Sequence, residues 1–149
     1  MSDLNHHDRH GIRLRGPWWW SCGAEYHPER ASRIKLPTLA IDSKDEAEDF
    51  VFRRPFNAPT GILPTDSVWL VLVEVENFRA VFCNGRCLLS CPERQAAYSG
   101  EWEITKLLRP LSGQRGNQLD LRITLPCPGP PSFRGEVRLE IEATVETSD

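Results

Sequence analysis

Hydrophobic positions along this chain recur with a period of two, in runs too short for ordinary helices. In Gln118–Leu125 (QLDLRITL), Leu119, Leu121, Ile123 and Leu125 alternate with Gln118, Asp120, Arg122 and Thr124. That is the pattern of a strand with one face on a core and the other in water. Glu136–Glu146 repeats it, with Val137, Leu139, Ile141, Ala143 and Val145 predicted inward and Glu136, Arg138, Glu140 and Glu142 outward. Ser67–Glu74 (SVWLVLVE) is apolar on both faces and rich in β-branched residues, which predicts a central strand. Phe50, Phe52 and Phe56 share a face with Arg54, while Pro55 marks an edge strand or a strand end because it has no N–H for the ladder. Ile12 and Leu14 alternate with Arg13 and Arg15, a short half-buried strand before the Gly16-Pro17 break.

Turn chemistry connects these runs. Asn84-Gly85 stands between Arg79–Cys83 and Arg86–Leu89, and both residues suit the positive φ of a two-residue hairpin turn. In that hairpin Cys83 faces Arg86 and Phe82 faces Cys87. Thr105 is placed to cap one helical turn ending before Pro110. Pro126–Gly135 reads as a loop, Ser21–Glu48 carries no sustained period, and the acidic run Asp45–Asp49 reads as solvated. Residues 1–11 read as a flexible N-terminal tail, 12–146 as a single domain and 147–149 as a C-terminal tail. About eight strands, one helical turn and no crossover helix predict an all-β fold, an antiparallel two-sheet β-sandwich of the jelly-roll type.

Composition narrows the function classes. A length of 149 residues fits one domain. The net charge of −3 gives no electrostatic case for nucleic acid or an anionic membrane surface. No apolar run approaches the roughly 20 residues that span a bilayer. Five cysteines are an odd count, and the N-terminus lacks the basic and apolar regions of a secretory signal, so reduced thiols and a cytoplasmic location are expected.

The order of five short motifs resembles the sugar-binding jelly-roll domain of glycoside hydrolase family 2, within the galactose-binding-domain-like fold. These are Leu14-Arg15-Gly16-Pro17-Trp18-Trp19-Trp20, Arg54-Pro55-Phe56, Ala80-Val81-Phe82-Cys83-Asn84-Gly85, Glu103-Ile104-Thr105 and Asn117-Gln118-Leu119. Glu103 stands where the family usually has Asp. The resemblance covers residues 12–145 and implies the accessory domain standing alone. The family's catalytic carboxylates lie in a separate barrel that this chain is too short to contain, so no catalytic residue carries over.

Candidate chemistry is sparse. Cys83, Cys87 and Cys91 have ligand-like spacing, but the hairpin sends Cys83 and Cys87 to opposite faces, so they cannot share a metal ion. His6, His7, Asp8 and His10 sit on the tail, without fixed partners to orient a ligand set. His27 and Cys22 form no evident dyad, and Glu136, Glu140 and Glu142 read as an outer face shared with Arg138. No metal and no cofactor are expected. Trp18, Trp20 and Trp102 are expected in the core and Trp69 on the central strand. Trp19, pointing away from its neighbours, and the loop residues Tyr26 and Tyr98, with Arg94 near Tyr98 in sequence, are therefore the candidate ligand-binding residues, since sugar faces stack on aromatic rings. The expected function is a non-catalytic binding module with a carbohydrate ligand. The alternative is a protein-interaction or assembly module of the same fold; a small hydrolase has no convergent nucleophile and base behind it.

Overall fold

The structure, a computed structural model, describes residues 9–15, 18–34, 49–59, 63–109, 116–124 and 134–143. Eight strands run β1 (Arg9–Arg13), β2 (Trp18–Cys22), β3 (Ser32–Ile34), β4 (Asp49–Phe56), β5 (Ser67–Cys83), β6 (Arg86–Glu103), β7 (Asn117–Thr124) and β8 (Glu136–Glu142). Two 3-10 turns, Pro28–Arg30 and Thr105–Leu107, are the only helical segments among the described residues. Every strand pairing is antiparallel.

The strand order β1-β8-β5-β7-β4-β2-β3, with β6 on the other side of β5, is continuous. It becomes two layers because β5 changes partner along its length. Ser67–Val73 pairs with β8, and Phe78–Cys83 pairs with β7. Between these halves the β5–β6 ladder slips at Leu72/Val75 and again at Phe78/Ala80. Glu74 and Asn77 there adopt φ of 47° and 60°, values rare for residues other than glycine. Such bulges bend a strand and shift which side chains face inward. The side chains of β5 in the core cluster are accordingly Val68, Leu70 and Leu72, then Val75, Phe78, Val81 and Cys83. Gly135 (φ 130°) backs the bend so closely that a Cβ there would lie 2.6 Å from Val75 Cα.

The core lies between the layers. Val68, Leu70, Leu72, Val137 and Leu139 from one side meet Trp18, Trp20, Phe50, Phe52, Leu119, Leu121 and Ile123 from the other in one cluster. The predicted alternation of β7 is realised over Leu119, Leu121 and Ile123, and the Asn84-Gly85 hairpin pairs Phe82 with Cys87 and Cys83 with Arg86. Pro55 sits at the end of β4, past the last residue that pairs with β2.

Several expectations need correction. The tail expected over residues 1–11 gives way at Arg9, where β1 begins and pairs with β8 from Arg9↔Glu142 to Arg13↔Arg138. On β8 the inward run stops early: Ile141, still paired with Val68, is only half-buried, and Ala143, past the last residue that pairs with β5, is exposed. Thr105 does not cap its turn. Its hydroxyl instead accepts from Val68 N–H at 2.8 Å, tying the turn to β5. Cys91–Ser99 belongs to β6, an 18-residue strand with no neighbour but β5 among the described residues, so Tyr98 is a strand residue rather than a loop residue. His6, His7, Asp8, the acidic residues 45–48 and the strand end at 144–146 lie outside the described residues.

Candidate functional site

On β2, alternation fixes the three tryptophans. Trp18 and Trp20 point into the core, Trp18 donating from Nε1 to the Leu14 carbonyl at 2.7 Å, and Trp19 is left on the outer face. Strand registers align Trp19 with Arg33 on β3 and Arg53 on β4, and Arg53 with Asp120 on β7. A row therefore crosses the outer face as Arg33, Trp19, Arg53 and Asp120.

Arg53 and Asp120 form a bidentate fork, Nε to Oδ1 at 2.7 Å and Nη2 to Oδ2 at 2.9 Å. The hydrogen bond to Asp120 holds the Arg53 pKa above its usual value. Between β2 and the Pro28–Arg30 turn, the chain folds back where His27 N–H donates to Ser21 Oγ at 2.9 Å. This seats the Tyr26 ring 4.0 Å from the Arg53 guanidinium carbon. Burial raises the Tyr26 hydroxyl pKa, with Arg53 opposing the rise. Arg33 is exposed, its guanidinium 5.3 Å from the Trp19 ring centroid.

Of the four sequence-predicted residues, the structure brings Trp19 and Tyr26 together around Arg53 and sets Arg94 and Tyr98 apart on β6. Arg94 donates to Asn77 Oδ1 at 3.1 Å, beside the bend of β5. Tyr98 packs against the core, stacked on Phe78 at 4.7 Å and beside Trp102 at 6.1 Å. Its ring lies over Gly100, where a Cβ would come within 2.8 Å of it. Trp102 is half-buried in the same stack rather than fully in the core. Arg33, Arg53 and Asp120 escaped the sequence reading. Asp120 was read as an outward position, but not the register that joins it to Arg53.

Three of the sequence motifs meet in space as a structural lock. Asn84 Nδ2 donates to the Leu107 carbonyl at 2.8 Å and to Asn117 Oδ1 at 2.9 Å, and Asn84 Oδ1 accepts from Gln118 N–H at 2.9 Å. Asn117 Oδ1 also accepts from Arg109 N–H at 2.7 Å. The Asn-Gly hairpin, the 3-10 turn and the start of β7 are thus pinned together.

The carboxylates of the other layer are paired. Arg9 bridges Glu101, Glu140 and Glu142 at 2.8, 3.3 and 2.9 Å and lies 4.6 Å from the Trp69 ring centroid. Arg138 reaches Glu136 at 2.8 Å. These long side chains cover the second apolar face of β5, where Trp69, Val71 and Val73 are half-buried. Among the described residues no group of three His, Cys, Asp or Glu side chains is placed to hold a metal ion. Cys83 is buried, its thiol pushed up to about 11 by desolvation, and Cys87 is exposed on the opposite face.

This antiparallel sandwich is the fold of a domain of family 2 glycosidases. The chain is similar to a β-glucuronidase from Ruminococcus gnavus (18% identity, TM-score 0.65, 91% of this chain on 28% of that one). It is also similar to a β-glucuronidase from Dictyoglomus thermophilum (13%, 0.66, 95% on 31%) and a glycosyl hydrolase family 2 member from Bacteroides cellulosilyticus (12%, 0.64, 88% on 20%). The chain thus spans between a fifth and a third of the length of these proteins. No protein-family model matches the chain, and no curated protein sequence matches it.

Proposed function

We propose that the chain is a non-catalytic carbohydrate-binding module whose ligand rests on Trp19 and Tyr26. The observation that carries this reading is that a fold borne by glycosidases here presents two half-exposed aromatic residues around an Arg–Asp fork. Sugars offer apolar C–H faces that settle on rings and hydroxyls that bond well to charged partners. A non-catalytic role is supported by the state of the carboxylates. Glycoside hydrolysis uses two carboxyl groups about 5–10 Å apart, one of them held protonated. Here Asp120 is engaged by Arg53, Glu140 and Glu142 by Arg9, and Glu136 by Arg13 and Arg138.

A glycan array followed by titration calorimetry tests the reading. An open face of this kind should bind in the micromolar to millimolar range, about −8 to −4 kcal/mol. Trp19→Ala should abolish the signal while leaving the circular dichroism spectrum unchanged. The second reading, an assembly module, is favoured by the fact that each neighbour carries this fold within a much longer chain. A blank array together with a stoichiometric co-purifying protein partner would select it.

A further inference from the structure

We infer that the ligand of this face is an acidic saccharide, its ring on Trp19 and its carboxylate on Arg33; the inference rests on the sugar-binding reading above. It comes from the contrast between arginines on one surface. Arg53 is neutralised by Asp120 through two short hydrogen bonds. Arg33, one strand over on the far side of Trp19, makes no ion pair among the described residues and is exposed.

Arg122 is a second cation of this kind. It follows Asp120 on the outward side of β7, beside Val51, and its Nε is buried without a hydrogen-bond partner. Ser21, Val51 and Ala80, aligned with it across the sheet, are buried, so Arg122 lies half-buried in a covered patch. The face therefore holds two arginines that pair with no carboxylate among the described residues, beside two aromatic residues. A neutral sugar would leave both positive charges unanswered. A planar carboxylate matches the guanidinium fork, and Arg33 lies 5.3 Å from the ring on which the sugar would rest, within reach of one monosaccharide.

The probes are oligosaccharides of galacturonate, glucuronate and mannuronate, each as the free acid and as its methyl ester, which keeps the ring and removes the charge. Calorimetry on the full chain should show at least one acid binding about tenfold tighter than its ester. Arg33→Gln, at an exposed position, should erase that advantage and leave ester binding as it was. Raising salt from about 50 to about 500 mM should weaken the acid selectively, because exposed pairs are screened. Esters or neutral glycans binding as tightly as the acids, with loss in Trp19→Ala, would overturn the acidic preference and keep the sugar-binding reading. Binding by no saccharide would overturn both. Acid binding that survives Trp19→Ala and Arg33→Gln would overturn the assignment to this face.

Discussion

Asn117 is almost wholly buried, yet its amide serves the Arg109 N–H, the Arg109 carbonyl and the side chain of Asn84. Replacing it with leucine keeps the branch at Cγ and strands those partners, so Asn117→Leu should lower stability by about 1–3 kcal/mol. Urea denaturation would show this as an earlier midpoint at an unchanged slope; an unaltered midpoint would mean the lock contributes nothing. Cys83 gives a prediction with a pH sign. Its folded pKa is about 11 against an ordinary 9.0, because burial favours the neutral thiol. The stability this contributes is fully present below pH 9.0 and is lost as pH rises through about 11. Cys83→Ala should flatten that part of the stability profile. At pH 8 iodoacetamide should label Cys87 and spare Cys83, which peptide mass spectrometry can read.

Among the elements, β7 and β8 behave differently from β6, and the reason is burial. Leu139 on β8 is in the core, and Leu139→Ala should cost about 2–5 kcal/mol. Glu103→Ala, exposed near the end of β6, should stay within about 0.5 kcal/mol in the same denaturation assay. β7 was legible from sequence because its buried side chains fall at every second residue, which is what a strand between a core and water must show. β6 was legible only at its two ends. From Pro92 to Ala97 it is exposed throughout, so no core selects an alternating pattern there. Pro92 is tolerated because the strand has a neighbour on one side only among the described residues. Tyr98 was misplaced for the same reason: a tyrosine in a polar stretch reads as loop, while Phe78, on which it stacks, comes from the neighbouring strand β5. Half of the candidate site was hidden likewise, since Trp19 was visible as an outward ring and its neighbours Arg33 and Arg53 depend on strand order.

At the scale of the molecule, the bent β5–β6 hairpin runs through both layers, so neither layer has a complete set of strand partners without the other. Unfolding should therefore be a single transition. Hydrogen exchange should give β4 and β8 amides the same opening free energy, and separate values would mean that the layers fold independently. The pairing of β1 with β8 has a further consequence. Arg9 and Glu142 are aligned across neighbouring strands, which puts their backbones about 5 Å apart. The first and last of the described strands thus meet at one point. Joining that point with a short linker and cutting instead at the exposed Pro64-Thr65 turn should yield a permuted chain with the same near-ultraviolet spectrum. A sandwich wired in this way can be spliced into a loop of a host protein as a cassette, because it asks the host to part its own backbone by no more than the width of one strand pair.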